Sequence, residues 1–221
     1  MGAEAAHLVE LEIARTPGDP RRVMPAVPPA CRRVLDVGCG AGQTLIASDL
    51  GAGVTAAGVD VDFAALSLGR RLTGRVGFVC ALGETLPFRD GSFDLVLSRV
   101  ALPYMHVPRA LAEFRRVLAP GGRLWLVLHP ASGVLRDLGR AVRAGRAKAA
   151  LDRLYVLGNG LALHCFGTVF RSPFTPGRCE SFQTRRAMRR ALGAGFDETE
   201  IDNGPFLVAT ARKAETTRCE S

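Results

Sequence analysis

The chain has 221 residues, 48% hydrophobic and 23% charged, with 29 Lys and Arg against 21 Asp and Glu for a net charge of +8. This is enough for one substantial α/β domain, or a domain with a small cap, and it excludes wholesale disorder. The basicity suits a nucleic acid or an anionic membrane surface, yet Lys148 and Lys213 are the only lysines and the arginines are scattered among Ala and Gly, so charge alone assigns no partner.

From the N-terminus, Ala3 to Arg15 reads as a short helix with Ala5, Leu8 and Leu11 on one side, and Pro17, Pro20, Pro25, Pro28 and Pro29 then forbid regular structure. Residues 1–30 are thus expected to form a leader, placed before the first strand as a lid. Strands and helices then alternate, the sign of βαβ units and a parallel sheet. Strands are expected at Arg33–Val37, Val54–Val59, Val76–Cys80, Phe93–Leu97 and Arg123–Leu128. Helices are expected at Gln43–Leu50, after an Asp62 N-cap, and at Pro108–Leu118, the last stopped by Pro120-Gly121-Gly122. Residues 130–180 form a long insertion expected to cap the substrate. Its first half places Arg136, Arg140 and Arg143 on one helical side against Leu135, Leu138 and Val142, and its apolar stretch Leu154–Phe170 is expected to break at Gly158-Asn159-Gly160. A helix over Ser181–Leu192 and strands Phe196–Ile201 and Phe206–Ala211, joined by an Asp202-Asn203-Gly204-Pro205 turn, complete the core over 31–213, ahead of a polar tail over 214–221. The expected fold is α/β: a doubly wound, Rossmann-like seven-stranded sheet, mostly parallel with a C-terminal antiparallel hairpin, with ligands at the carboxyl ends of its first strands.

The six cysteines, at 31, 39, 80, 165, 179 and 219, make neither a C-x-x-C pair nor a His/Cys cluster, so no metal is expected. Cys39 and Cys80 read as small packed side chains, and a reducing cytoplasm fits. The first ten residues carry Glu4 and Glu10 without a basic and then apolar signal pattern, and no apolar run reaches the roughly 18 residues of a membrane span.

The most telling stretch is Val34-Leu35-Asp36-Val37-Gly38-Cys39-Gly40-Ala41-Gly42-Gln43, a strand running through a glycine loop into a helix. Gly38, Gly40 and Gly42 lack the Cβ atoms that would hold a ligand off the backbone. A dinucleotide fingerprint would need its third glycine at position 43, where Gln43 stands. The G-x-G-x-G spacing after Asp36 resembles the first motif of class I S-adenosylmethionine-dependent methyltransferases. That resemblance implies that Asp36, Gly38, Cys39, Gly40 and Gly42 hold the methionine end of the cofactor. Asp60, ending the second strand, can accept hydrogen bonds from both ribose hydroxyls, and Val61 and Phe63 can lie against adenine.

Residues 83–96, Gly83-Glu84-Thr85-Leu86-Pro87-Phe88-Arg89-Asp90-Gly91-Ser92-Phe93-Asp94-Leu95-Val96, resemble the adenine loop and fourth strand of the type 11 small-molecule methyltransferase group. Leu82 stands where that group usually has an aspartate, which leaves the backbone of Leu82 and Gly83, the Glu84 side chain, or apolar packing to meet the adenine. Phe114-Arg115-Arg116-Val117-Leu118-Ala119-Pro120-Gly121-Gly122-Arg123-Leu124 follows Ser98-Arg99-Val100-Ala101-Leu102 in the order of the same group. The likeness covers about residues 33–128, with a weaker match over 181–213. It implies S-adenosylmethionine as cofactor and in-line methyl transfer to a small acceptor; the apolar stretch Leu154–Phe170 either lines a pocket for a lipophilic or aromatic acceptor or packs the lid.

Ser98 and Arg99 join the cofactor-side set, Arg99 as a partner for a substrate carboxylate or for the methionine carboxylate. Tyr104, His106 and His129 follow the fourth and fifth strands and are the candidates for any proton acceptor, whereas His7 and His164 have no such placement. Two alternatives stand beside this reading. One is an rRNA or tRNA methyltransferase, favoured by charge but without an appended RNA-binding module; the other is a non-catalytic, methyltransferase-like partner subunit, against which Asp36, the glycines and Asp60 argue.

Overall fold

A computed structural model describes residues 2–173, 179–193, 195–204 and 206–215. Pro205 of the expected turn, Cys219 and residues 216–221 of the tail lie outside the described residues. In chain order α1 (Ala3–Arg15), β1 (Arg33–Val37), α2 (Gln43–Ala47), β2 (Thr55–Asp60), α3 (Phe63–Leu72) and β3 (Val76–Cys80) come first. β4 (Phe93–Arg99), a 3-10 turn (Leu102–Tyr104), α4 (Val107–Val117) and β5 (Leu118–Leu128) follow. The insertion supplies α5 (Ala131–Arg143) and α6 (Ala147–Phe166), before α7 (Arg185–Leu192), β6 (Phe196–Asn203) and β7 (Leu207–Lys213).

The seven strands form one sheet in the order β3-β2-β1-β4-β5-β7-β6. β1 lies parallel to both β2 and β4, and β7 runs antiparallel between β5 and β6. This is the mostly parallel sheet with a terminal hairpin expected from the sequence. The strand order reverses at β1 and β4, and that reversal opens a crevice at their carboxyl ends.

Strand alternation divides the core. Leu35, Val37, Val96, Leu124 and Leu126 face the cluster that buries Phe114 of α4 and Met188 of α7, while Val34, Leu95, Leu97, Trp125 and Val127 face the opposite layer. Phe114 is fully buried, a contribution of about 1.5–3 kcal/mol. Asp94 ties β4 to the start of β1: its carboxylate accepts from the Arg32 and Arg33 backbone N–H groups, both at 2.9 Å.

Several boundaries differ from expectation, among them β4, which runs on to Arg99, and β6, which takes in Asp202 and Asn203 of the expected turn; four others have an identifiable cause. α2 stops at Ala47 because Ser48 donates both its N–H and its hydroxyl to the Thr44 carbonyl. Pro120-Gly121-Gly122 does not separate α4 from β5 but lies inside β5, which begins at Leu118, paired with Phe93. α7 starts at Arg185, after a Thr184 N-cap accepting from the Ala187 N–H at 3.1 Å, while the Ser181–Gln183 stretch runs extended beside Pro130. α6 continues through Gly158-Asn159-Gly160 without a break. Gly160 leaves room for the Phe182 ring, and the Asn159 amide donates to the carbonyls of Phe170, Cys179 and Glu180, so both residues serve packing. Cys80 is exposed rather than packed.

Candidate active site

β1 ends at the glycine loop, and the loop is fixed by main-chain bonds to β2. The N–H groups of Gly38 and Cys39 donate to the Val59 carbonyl at 2.7 and 3.0 Å. The Gly40 N–H donates to Asp60 at 2.7 Å, and the other Asp60 oxygen accepts from the Asp62 N–H at 2.9 Å. Asp62 itself caps α3, as expected, by accepting from Ala64 and Ala65. Gly38 has φ +75° and sits so close to Ala101 that a Cβ would collide with it.

A cleft of about 270 Å³ opens there. Gly38, Asp60, Val61, Leu82, Gly83 and Glu84 line one side, and Arg99, Val100, Ala101, Tyr104 and Met105 line the other. Leu82 and Val61 are exposed at its rim, and Phe63, also exposed, faces the Arg70 guanidinium. Glu84 accepts the His106 backbone N–H at 2.8 Å and so couples the loop after β3 to the start of α4.

Asp36 is buried beneath the loop, and one of its carboxylate oxygens has no hydrogen-bond partner among the described residues. Burial pushes its pKa up to about 7, with the Arg99 charge pulling down and Asp60 pushing up. Arg99 ends β4 with a side chain only 17% exposed, bonded to Thr44 and paired at 3.2 Å with Glu10 of α1.

Not every expected residue reaches the cleft. Ser98 is wholly buried and donates its hydroxyl to the Val37 carbonyl at 2.9 Å, which clamps β4 to β1 and leaves nothing for a ligand. Cys39 is buried against Gly58, and burial raises its thiol pKa, so it packs as a small apolar group. Gly42 stands beside the Phe78 ring. Asp36, Gly40 and Gly42 support the loop from behind the lining.

Tyr104 lines the cleft, whereas neither His129 nor His106 is among its lining residues; the His129 ring lies behind Tyr104 and meets it edge to face with centroids 5.6 Å apart. His129 is held by the returning insertion: its carbonyl accepts the Gln183 N–H at 2.9 Å. Burial lowers its pKa, and its Nε2 has no hydrogen-bond partner among the described residues, nor has Nδ1 of His106. Cys179 and Ser181 donate to the carbonyls of Tyr104 and Pro103, pinning this wall from behind.

Several contributors were not legible from sequence. His7, set aside by its position, lies on the glycine loop with its Nδ1 at 2.8 Å from the Gln43 amide, and α1 reaches the site again through Glu10. Val100 has φ +62°, a left-handed conformation rare for a β-branched residue, stabilised by its N–H bond to the Val127 carbonyl. Ser98-Arg99-Val100 gives no local signal for that turn.

The family model of a methyltransferase domain matches residues 35–126 of this chain. Over those residues the chain is similar to a methyltransferase domain. A demethylmenaquinone methyltransferase of Renibacterium salmoninarum is 36% identical over 110 residues, 48% of this chain and 46% of that protein. An uncharacterised methyltransferase of Synechocystis is 34% identical over 139 residues, covering 61% of this chain and 59% of its own. The chain spans about half the length of the curated relatives it matches. A SAM-dependent methyltransferase of Thermotoga maritima has the same fold, with a TM-score of 0.57 at 21% identity over 94% of this chain and 89% of that one. The matched residues contain both the glycine loop and the β4 wall, whereas α5 and α6 lie beyond them. No helix among the described residues is long and apolar enough to cross a membrane.

Proposed function

We propose that the protein transfers a methyl group from S-adenosylmethionine to a small, lipophilic or aromatic acceptor, with residues 1–30 as a lid and residues 130–180 as the acceptor cap. The observation that carries this reading is the cleft at the β1–β4 reversal, lined by Gly38 of the glycine loop and by Gly83, into which Asp60 presents a carboxylate. The residues fit the cofactor: Asp60 retains acceptor capacity beyond its two backbone bonds for ribose hydroxyls, and the buried Asp36 oxygen and Arg99 provide charge beside the loop for the methionine end. Val61 and Leu82 offer apolar surface to the adenine, with the Leu82 and Gly83 backbone as its polar partners. When bound, the cofactor supplies the activated methyl group.

The protein's own part is mainly to position. Orienting the two reactants supplies about 7–11 kcal/mol of barrier reduction, so no elaborate dyad is required. Where the acceptor must lose a proton, Tyr104, which lines the cleft, is the candidate within reach, with His129 behind it and His106 as the others. The apolar wall of Val100, Ala101 and Met105 supports an apolar acceptor. The quinone-pathway names of relatives such as the ubiquinone/menaquinone biosynthesis C-methyltransferase of Methylobacterium nodulans, 43% identical over 101 residues, point the same way. The free cysteines among the described residues fit a cytoplasmic setting.

Calorimetry with S-adenosylhomocysteine is expected to show binding, and a methyl-transfer screen over quinol, phenol and amine acceptors is expected to give turnover. Absence of binding would refute the cofactor assignment. Methyl incorporation into RNA, with none into small acceptors, would overturn the acceptor class.

A further inference from the structure

α6 carries its charged residues, Lys148, Asp152 and Arg153, in its first two turns and presents an apolar outer face along the helix. Its core-facing residues Val156, Asn159, Gly160 and Leu163 are buried, and on the opposite side Leu151, Leu154, Gly158, Leu161 and Cys165 recur at three- and four-residue steps, all exposed. The three leucines are 52%, 52% and 56% exposed, and no charged residue occurs from Leu154 to Phe166. A helix with such an outer face is normally covered, yet this one cannot cross a membrane.

The neighbouring helix indicates the cover. α5 packs beside α6 across a short turn, and it exposes Arg136, Arg140 and Arg143 together with Leu135 and Val142; the turn adds Arg146 and the first turn of α6 adds Lys148. Residues 131–170 hold six Arg and Lys against two Asp. Both acids are engaged, Asp137 with Arg140 and Asp152 with Arg153, and Arg153 also pairs with Glu180 from outside the hairpin. A second copy seated on this face would bring two sets of uncompensated cations together, which is repulsive. An anionic bilayer meets both features at once.

We propose that the α5–α6 hairpin docks the protein on an anionic lipid bilayer, the α6 leucines entering the acyl boundary and the arginines meeting lipid phosphates. The inference goes beyond the proposed methyl transfer and does not depend on it. Since α5 follows β5 directly after His129, docking would hold the Tyr104–His129 pair near the membrane surface.

The test is co-sedimentation of the full chain with phosphatidylcholine vesicles, pure or mixed with phosphatidylglycerol. Binding is expected to the mixed vesicles only, with release at high salt. The Arg136→Gln/Arg143→Gln/Arg146→Gln variant is expected to lower partitioning on the order of 100-fold, about fivefold per arginine. Leu154→Asp/Leu161→Asp is expected to abolish binding with the thermal midpoint unchanged, since both sites are exposed. The proposal is overturned if mixed vesicles bring down no protein, if neutral vesicles bind equally, or if the leucine variant binds as before. Light scattering that shows a dimer dispersed by the same leucine variant, without vesicle binding, would assign the face to a second copy instead.

Discussion

The β2-side wall of the cleft is held by main-chain hydrogen bonds, from Gly38 and Cys39 to Val59 and from Gly40 to Asp60, whereas the wall opposite depends on side chains and on the returning insertion. The first wall has its loop donors assigned within the fold and keeps one carboxylate for a ligand. Behind the second lie buried imidazole nitrogens of His106 and His129 without hydrogen-bond partners among the described residues. A wall built from backbone suits a ligand that does not vary, and one built from replaceable side chains suits a ligand that differs between relatives.

The largest effect expected on this contrast comes from Gly38→Ala, which needs a left-handed Cβ in space held by Ala101 and is expected to cost about 3 kcal/mol or more by denaturant unfolding. A loss below about 1 kcal/mol would mean that the loop is not rigidly seated. Asp60→Ala is expected to weaken S-adenosylhomocysteine binding on the order of 100-fold by calorimetry, through two charge-assisted hydrogen bonds. Unchanged affinity would remove Asp60 from the cofactor wall. In the insertion, Gly160→Ala places a Cβ into the Phe182 ring and is expected to cost about 2 kcal/mol, partly recovered by Phe182→Leu. No cost would mean that α6 is loosely packed behind the acceptor wall.

The smallest effect concerns charge beneath the loop. The folded pKa of Asp36 is raised to about 7 from 3.8, so its favourable protonated state is fully present below pH 4 and is lost as pH rises toward 7. Asp36→Asn is therefore expected to raise the melting temperature by a few degrees more at pH 8 than at pH 5. An equal change at both pH values would show that Asp36 is not titrating in this range.

The same contrast explains what could be read in advance. The glycine loop, the position of Asp60 and the mostly parallel sheet with its terminal hairpin were legible because each rests on a local rule: a strand followed by glycines, an acid at a strand end, alternating elements. Ser98 was misplaced because strand parity alone does not say whether a hydroxyl faces a cleft or a neighbouring carbonyl. Gly158-Asn159-Gly160 looked like a break because the contacts that keep it helical come from Phe170, Cys179, Glu180 and Phe182, all distant in sequence. His7 and Glu10 were invisible for the same reason, since α1 approaches the loop only in the folded chain.

Val100 gives this division an evolutionary edge. Holding a β-branched residue in a left-handed conformation costs about 1–3 kcal/mol, and the strain sits where β4 gives way to the segment carrying Ala101, Tyr104 and Met105. A glycine at position 100 would relieve that strain and widen the conformational range of the segment beyond it. Selection for robustness and selection for aim therefore pull in opposite directions at one residue, and a screen for heat resistance alone would favour variants that handle their acceptor less well.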